Sequence, residues 1–417
     1  MDRTIAPEIK NITSISFQEP EIIYLANKAT LYAIRKTEEE TAKIDFVFNA
    51  GSLQTDNLIA GLTAGMLFSG TNNKSSTEIN EEIDSLGGYT GTEASSERMT
   101  VSIVGLKEYI VQLTEMMVDA VLHVNFDSKE LTQLIQNKKK KFQISIEKVS
   151  TVAKREFVHA IFEHNPYGRL SYLEDYDQVK REDLISFHQK YILEGLDYVT
   201  IVGALTDSEL QRIQELALKF KSNKEPIENY NFQYRPNQII QEKEGAVQTA
   251  IRIGRVLFNK TQPDYKQFMV LNTILGGYFG SRLMSSIRED KGYTYGINSG
   301  ISQNLQSGYF YIATEVNKKY RDATIQAIQE EIKKLQNELV GEDELSLVKN
   351  YIIGEILEQS DGPQAMMDRF ISVQLFGMNL SYYNDLMKAI NEISAKEIQQ
   401  LAQKYLNWED MVIVAVG

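Results

Sequence analysis

Apolar positions along this chain repeat with two periods. Ile44-Asp45-Phe46-Val47-Phe48 follows the two-residue alternation of a half-buried strand. A helical period takes over at residues 57–68 and again at 77–86, where Gly87-Gly88 supplies a stop. Leu131, Leu134, Ile135, Phe142 and Ile146 fall on one helical face, which predicts a single long amphipathic helix over 128–149. The second half predicts a strand over 249–254 and helices over 266–275 and 321–339. Between those helices, a helix over 281–291 is capped by Gly292, and strand resumes over 293–297.

The chain also repeats itself. Asp183-Leu184, Lys190-Tyr191 and Tyr198-Val199-Thr200-Ile201-Val202-Gly203 recur 214 residues later as Glu397-Ile398, Lys404-Tyr405 and Val412-Ile413-Val414-Ala415-Val416-Gly417. Each copy reads as an amphipathic helix, a short polar turn and a buried strand, and the constant offset signals a duplication. Apolar periodicity lapses over 221–238, which holds Pro226 and Pro236 among Asn, Ser, Lys and Glu. We therefore expect an N-terminal domain at 1–222, an exposed linker at 223–236 and a homologous C-terminal domain at 237–417. The mixed order of strands and helices predicts an α+β fold of two α/β sandwiches. Each would be a mostly antiparallel sheet with helices on one face.

Length agrees with two domains, since 417 residues exceed one ordinary core. The balance of 44 basic against 57 acidic residues argues against nucleic acid or an anionic membrane as partner. There is no cysteine, hence no disulfide and no thiolate metal site. Residues 1–20 hold no signal-like apolar run, and no later stretch approaches the ~18 apolar residues of a membrane span. A cytoplasmic location is the expectation.

The segment Gly61-Leu62-Thr63-Ala64-Gly65-Met66-Leu67-Phe68-Ser69-Gly70-Thr71 resembles the active-site helix of the insulinase/pitrilysin family of zinc peptidases, in its two-domain, processing-peptidase-like branch. That family reads H-x-x-E-H followed by M-L-F-x-G-T. In the family's motif, positions i and i+4 bring two histidines to one zinc, and the glutamate activates its water. Here the M-L-F-x-G-T anchor is intact, but the motif positions fall on Gly61, Ala64 and Gly65. The resemblance places the third ligand, a glutamate, on the following long helix over Lys138-Lys139-Lys140-Lys141-Phe142, where no acid stands. It extends through Leu86-Gly87-Gly88 and Asn165-Pro166-Tyr167-Gly168, although Gly91-Thr92 replace the usual asparagine-alanine.

Other metal sites look poor. His159 and His164 are five apart, so their rings diverge on a helix that Asn165-Pro166 should end, leaving surface histidines beside Glu163. His123 and His188 complete the four. The tetralysine run reads as a solvated helix face. Gly276-Gly277-Tyr278-Phe279-Gly280 lacks the lysine and preceding strand of a phosphate loop.

The stretch from Gly276 to Gly296 is similar to the family's C-terminal signature, whose hallmark is an arginine and a tyrosine seven residues apart, here Arg288 and Tyr295. By that resemblance the pair contacts the peptide backbone, because guanidinium and phenol both donate to carbonyl oxygens. The alternative is structural: Arg288 capping helix carbonyls and Tyr295 partly buried. The resemblance implies a non-catalytic subunit that closes the peptide chamber of a homologous catalytic zinc-peptidase subunit. Zinc would then be held only by that partner, and the isolated chain would not hydrolyse peptides. The rival expectations are a homodimeric peptide-binding scaffold and, last, an active metallopeptidase with unrecognised ligands.

Overall fold

The computed structural model describes residues 12–55, 57–223 and 230–417, with backbone alone at Asn57. They form two compact units: Glu19–Ala246 with Val414–Gly417, and Val247–Ile413 with the described residues up to Gln18. Both are mixed α+β, as the periodicities predict.

The first unit is built on six strands: β1 (Glu21–Tyr24), β2 (Thr30–Ile34), β3 (Thr41–Phe48), β4 (Tyr89–Ala94), β5 (Met99–Leu106) and β6 (Leu196–Val202), in the order β1-β2-β6-β3-β5-β4. Only the β2–β6 pair is parallel. Alternation sorts the two faces. Ile44, Phe46 and Phe48 of β3 join Val101, Ile103, Val199 and Ile201 in the core, each at most 1% exposed. Burying a side chain of this size contributes roughly 1.5–3 kcal/mol. On the other face Lys43 pairs with Asp45 at 2.9 Å, and Thr200 Oγ1 donates to the same carboxylate at 3.2 Å.

The second sheet runs β7 (Gln238–Gln241), β8 (Gln248–Leu257), β9 (Thr294–Gln303), β10 (Gly308–Asn317) and β11 (Val412–Val416), in the order β7-β11-β8-β10-β9. Strand for strand this is the order β2-β6-β3-β5-β4 of the first sheet. The repeated strands β6 and β11 take equivalent places, so β4 and β9 are corresponding edge strands.

Several elements depart from expectation. The long helix expected over 128–149 runs from Ser128 to Ile146 and stops short because Lys148 adopts extended backbone, without any glycine or proline to announce it; a second helix, Val149–Ile161, follows. The second ends at Ile161, before Asn165-Pro166. The helix expected over 266–275 is α-helical only for Tyr265–Asn272, then π-helical for Thr273–Gly277. Residues 12–18 lie on the second unit, where the Ile15 amide donates to Asn384 Oδ1 at 3.0 Å and Phe17 packs 5.0 Å from Tyr383. In the connector, whose residues 224–229 lie outside the described residues, Tyr230 and Phe232 set their rings 6.0 and 6.1 Å from Tyr167. No helix among the described residues is long and apolar enough to cross a membrane.

Candidate functional site

The motif helix Asn57–Met66 packs against β4 and the Ser128–Ile146 helix. A Cβ on Gly61 would meet nothing within 4 Å, and Ala64 is 5% exposed. A Cβ on Gly65 would stand 3.0 Å from a Leu134 methyl, so the neighbour across from this position is a leucine. The tetralysine run lies further along the same helix, its Lys139 bound to Asp177 at 2.6 Å. Glycine, alanine and leucine offer no lone pair to a metal, so this donor set does not fit the family's zinc. No three His, Cys, Asp or Glu side chains group for a metal among the described residues.

The anchor after the helix has a structural explanation. Met66 and Leu67 are at most 1% exposed. Gly70 holds φ +131°, a backbone region open mainly to glycine. Thr71 Oγ1 accepts the amides of Asn73 and Lys74 at 3.2 and 3.1 Å. These residues close the turn whether or not a metal is bound.

The histidines are occupied locally. His159 Nδ1 donates to the Gly168 carbonyl at 2.8 Å, His164 is exposed beside Glu163, and His123 meets Asp119 at 2.9 Å. His188 is 4% exposed, its Nε2 donating to the Val121 carbonyl at 2.7 Å; burial lowers its pKa and keeps the ring neutral.

The corner of the second unit is built differently. A π-helical stretch, Met284–Asp290, carries Arg288. Gly292, at φ +62°, turns the chain, and the Tyr293 amide donates back to Ile287 at 3.0 Å. Tyr293 stacks on Tyr320 with centroids 4.5 Å apart, so it is spent on packing.

Tyr295 is not. The β9–β10 register pairs Ile297 with Thr314 but Thr294 with Val316, so Tyr295 and Gly296 together oppose Glu315 alone. This is a β-bulge on an edge strand, which re-aims a side chain and interrupts pairing. Thr294 Oγ1 accepts the Gly296 amide at 3.1 Å and donates to the Glu315 carbonyl at 2.8 Å. Thr314 Oγ1 donates to the Gly296 carbonyl at 2.9 Å. The bulge leaves Tyr295 94% exposed, its hydroxyl unbonded among the described residues.

Two arginines of this corner divide the work. Arg282 forms a two-bond fork with Glu344, both distances 2.8 Å. Arg288 pairs with no acid and caps no carbonyl among the described residues; its guanidinium lies 4.6 Å above the Phe279 ring. Among the described residues Arg288 caps no helix carbonyl, and Tyr295 is not partly buried. Gly276 explains the glycine run, since a Cβ there would come within 2.7 Å of the Ser299 amide. The spacing of the strand expected over 293–297 gives no sign of the bulge or of the Phe279 platform. The adjacent Tyr295-Gly296 in an edge strand was the one available hint of a bulge.

Residues 31–172 match the family model described as Insulinase (Peptidase family M16), and residues 178–352 match that described as Peptidase M16 inactive domain. The chain belongs to the insulinase family. It is 23% identical over 345 residues to the protein named "Uncharacterized zinc protease YmxG" of Bacillus subtilis, covering 81% of this chain and 82% of that one. To the "Probable mitochondrial-processing peptidase subunit beta" of Arabidopsis thaliana it is 21% identical, over 97% of this chain and 79% of that one. The fold is that of the peptidase M16 inactive domain from Pseudomonas fluorescens, with a TM-score of 0.85 over 95% of this chain and 98% of that one. As a family member it keeps the metallopeptidase-like fold without the H-x-x-E-H side chains.

Proposed function

We propose that this chain is a non-catalytic, peptide-binding subunit of a two-subunit zinc peptidase, contacting substrate through Arg288 and Tyr295. The observation that carries this reading is the state of that pair. Among the described residues the guanidinium has no acid and the phenol no partner, so both stand ready to donate to peptide carbonyls. In the same chain Gly61, Ala64 and Gly65 leave a metal nothing to bind. The zinc and its activated water would belong to a homologous subunit carrying an intact H-x-x-E-H motif, and this chain would close the chamber. Its similarity to a protein named as a processing-peptidase subunit supports pairing.

The test is affinity capture of the tagged full-length chain from its native cells, with mass spectrometry of what co-purifies. We expect a stoichiometric homologue with an intact H-x-x-E-H and chelator-sensitive peptide hydrolysis by the pair. Recovery of this chain alone, as a dimer that binds peptides without cleaving them, would replace the reading with a homodimeric scaffold. Chelator-sensitive proteolysis by the isolated chain with stoichiometric metal would overturn both.

A further inference from the structure

Lys260 has no role in the peptide corner. It follows β8 in the second unit, and no carboxylate pairs with it among the described residues. Its Nζ donates to the Ser372 carbonyl at 3.0 Å and lies 5.2 Å from the Phe376 ring and 6.0 Å from the Tyr382 ring. A lysine held this way is fixed in place, yet it borders a cavity of about 300 Å³. That cavity is also lined by Thr261, Lys266, Asn379, Ser381 and Tyr382.

The charges around it are lopsided. Lys266 Nζ stands 4.9 Å above Tyr382 and only loosely near Asp385, at 3.6 Å. Arg369 packs over Tyr383 at 5.6 Å and raises the local positive potential. Burial pushes the phenols of Tyr265 and Tyr382 up, so neither supplies an anion near neutral pH. Among the described residues the cavity wall thus carries two lysines and one carboxylate, with Arg369 acting on Lys260 from nearby. Burial first, and repulsion by Arg369 second, lower the Lys260 amine to about 8. At pH 7.4 such an amine is roughly 20% free base, against about 0.1% for an ordinary lysine. A fixed, partly neutral amine on a cavity wall is a nucleophile.

We propose that Lys260 is a covalent modification site, acylated by a small acyl phosphate whose anionic end is drawn in by Lys266. The two lysines favour an anionic reagent, and a cavity of about 300 Å³ suits a small one. The neutral Nζ attacks the carbonyl carbon and forms a C–N bond. The C–O bond to phosphate then breaks, phosphate leaves with the electron pair, and the amine proton goes to water. The product amide carries no charge, so it gives up the cation–π contacts with Phe376 and Tyr382.

The full-length protein would be incubated with acetyl phosphate at pH 7.4 and acetylation followed site by site by mass spectrometry. Lys138 and Lys140, both exposed, serve as internal references. We expect Lys260 to react at least ten times faster than either, with inorganic phosphate slowing it. Lys266→Met should slow acetyl phosphate several-fold and leave acetic anhydride, which is uncharged, unaffected. Lys260→Arg keeps the charge and a donor to Ser372, and should abolish the fast site with the thermal midpoint unchanged. Reaction no faster than Lys138 would overturn the proposal. Fast anhydride labelling without fast acetyl phosphate labelling would overturn the acyl-phosphate assignment.

Discussion

Two corners of this molecule do the same thing to the backbone and different things with side chains. In the first unit the Ser76–Ser85 helix ends at Gly87, φ +66°, and the chain enters edge strand β4. In the second, the π-helical stretch ends at Gly292, φ +62°, and the chain enters edge strand β9. The glycine device survives in both because no other residue takes that conformation cheaply. The chemistry beside them has diverged. Next to β4 the motif helix offers Gly61, Ala64 and Gly65; beside β9 stand an arginine with no acid partner among the described residues and a bulge-mounted tyrosine. Backbone geometry is held by folding itself, whereas a ligand set is held only by use.

The sharpest way to break this contrast is to remove the side chains of the second corner. If the proposed two-subunit peptidase exists, Arg288→Ala with Tyr295→Phe should lower its peptide turnover ten- to a hundredfold, measured as kcat/KM, while the subunits still co-purify. Unchanged turnover would return both residues to a structural role. The reciprocal change, Gly61→His, Ala64→Glu and Gly65→His together, should leave metal content at background by elemental analysis. The third ligand, an acid, is still missing, and Leu134 crowds position 65.

A smaller effect should be equal at the two corners. Gly87→Ala and Gly292→Ala each cost about 1–2 kcal/mol by denaturant titration, since both hold left-handed backbone with open space around the missing Cβ. A clear inequality would mean that one corner is strained beyond its φ angle.

Within the motif helix the two glycines should differ. Gly61→Ala should stabilise by about 0.5–1 kcal/mol, because helix propensity improves and nothing is struck. Gly65→Ala should gain close to nothing, because its Cβ presses on Leu134.

The last prediction concerns the slope of stability against pH. His188 belongs to the first copy of the repeat, and 214 residues further on stands Ala402. The folded-state pKa of His188 is lowered by burial, so below the unfolded value near 6.5 the unfolded chain takes up a proton that the folded chain refuses. Stability is therefore lost as pH falls through about 6.5 and levels off below the folded pKa. His188→Gln should flatten that limb in a pH series of denaturant midpoints. An unchanged slope would place the acid sensitivity elsewhere.

The sequence by itself determined the two-fold repeat, the α+β class, the loss of the zinc ligands and the Gly87 and Gly292 turns. These are local or periodic properties, written in side-chain spacing and in residues that only one backbone conformation suits. Tertiary structure alone decided the rest. The bulge at Tyr295-Gly296 depends on register against β10, and register is a property of two strands. Arg282 and Arg288 look alike in sequence, and only packing gave Glu344 to one and Phe279 to the other. The break at Glu147-Lys148 carries no helix-stop residue, so it follows from where the helices must pack. Nothing along the chain sets Lys260 apart, because its low-dielectric surroundings come from helices more than 100 residues away.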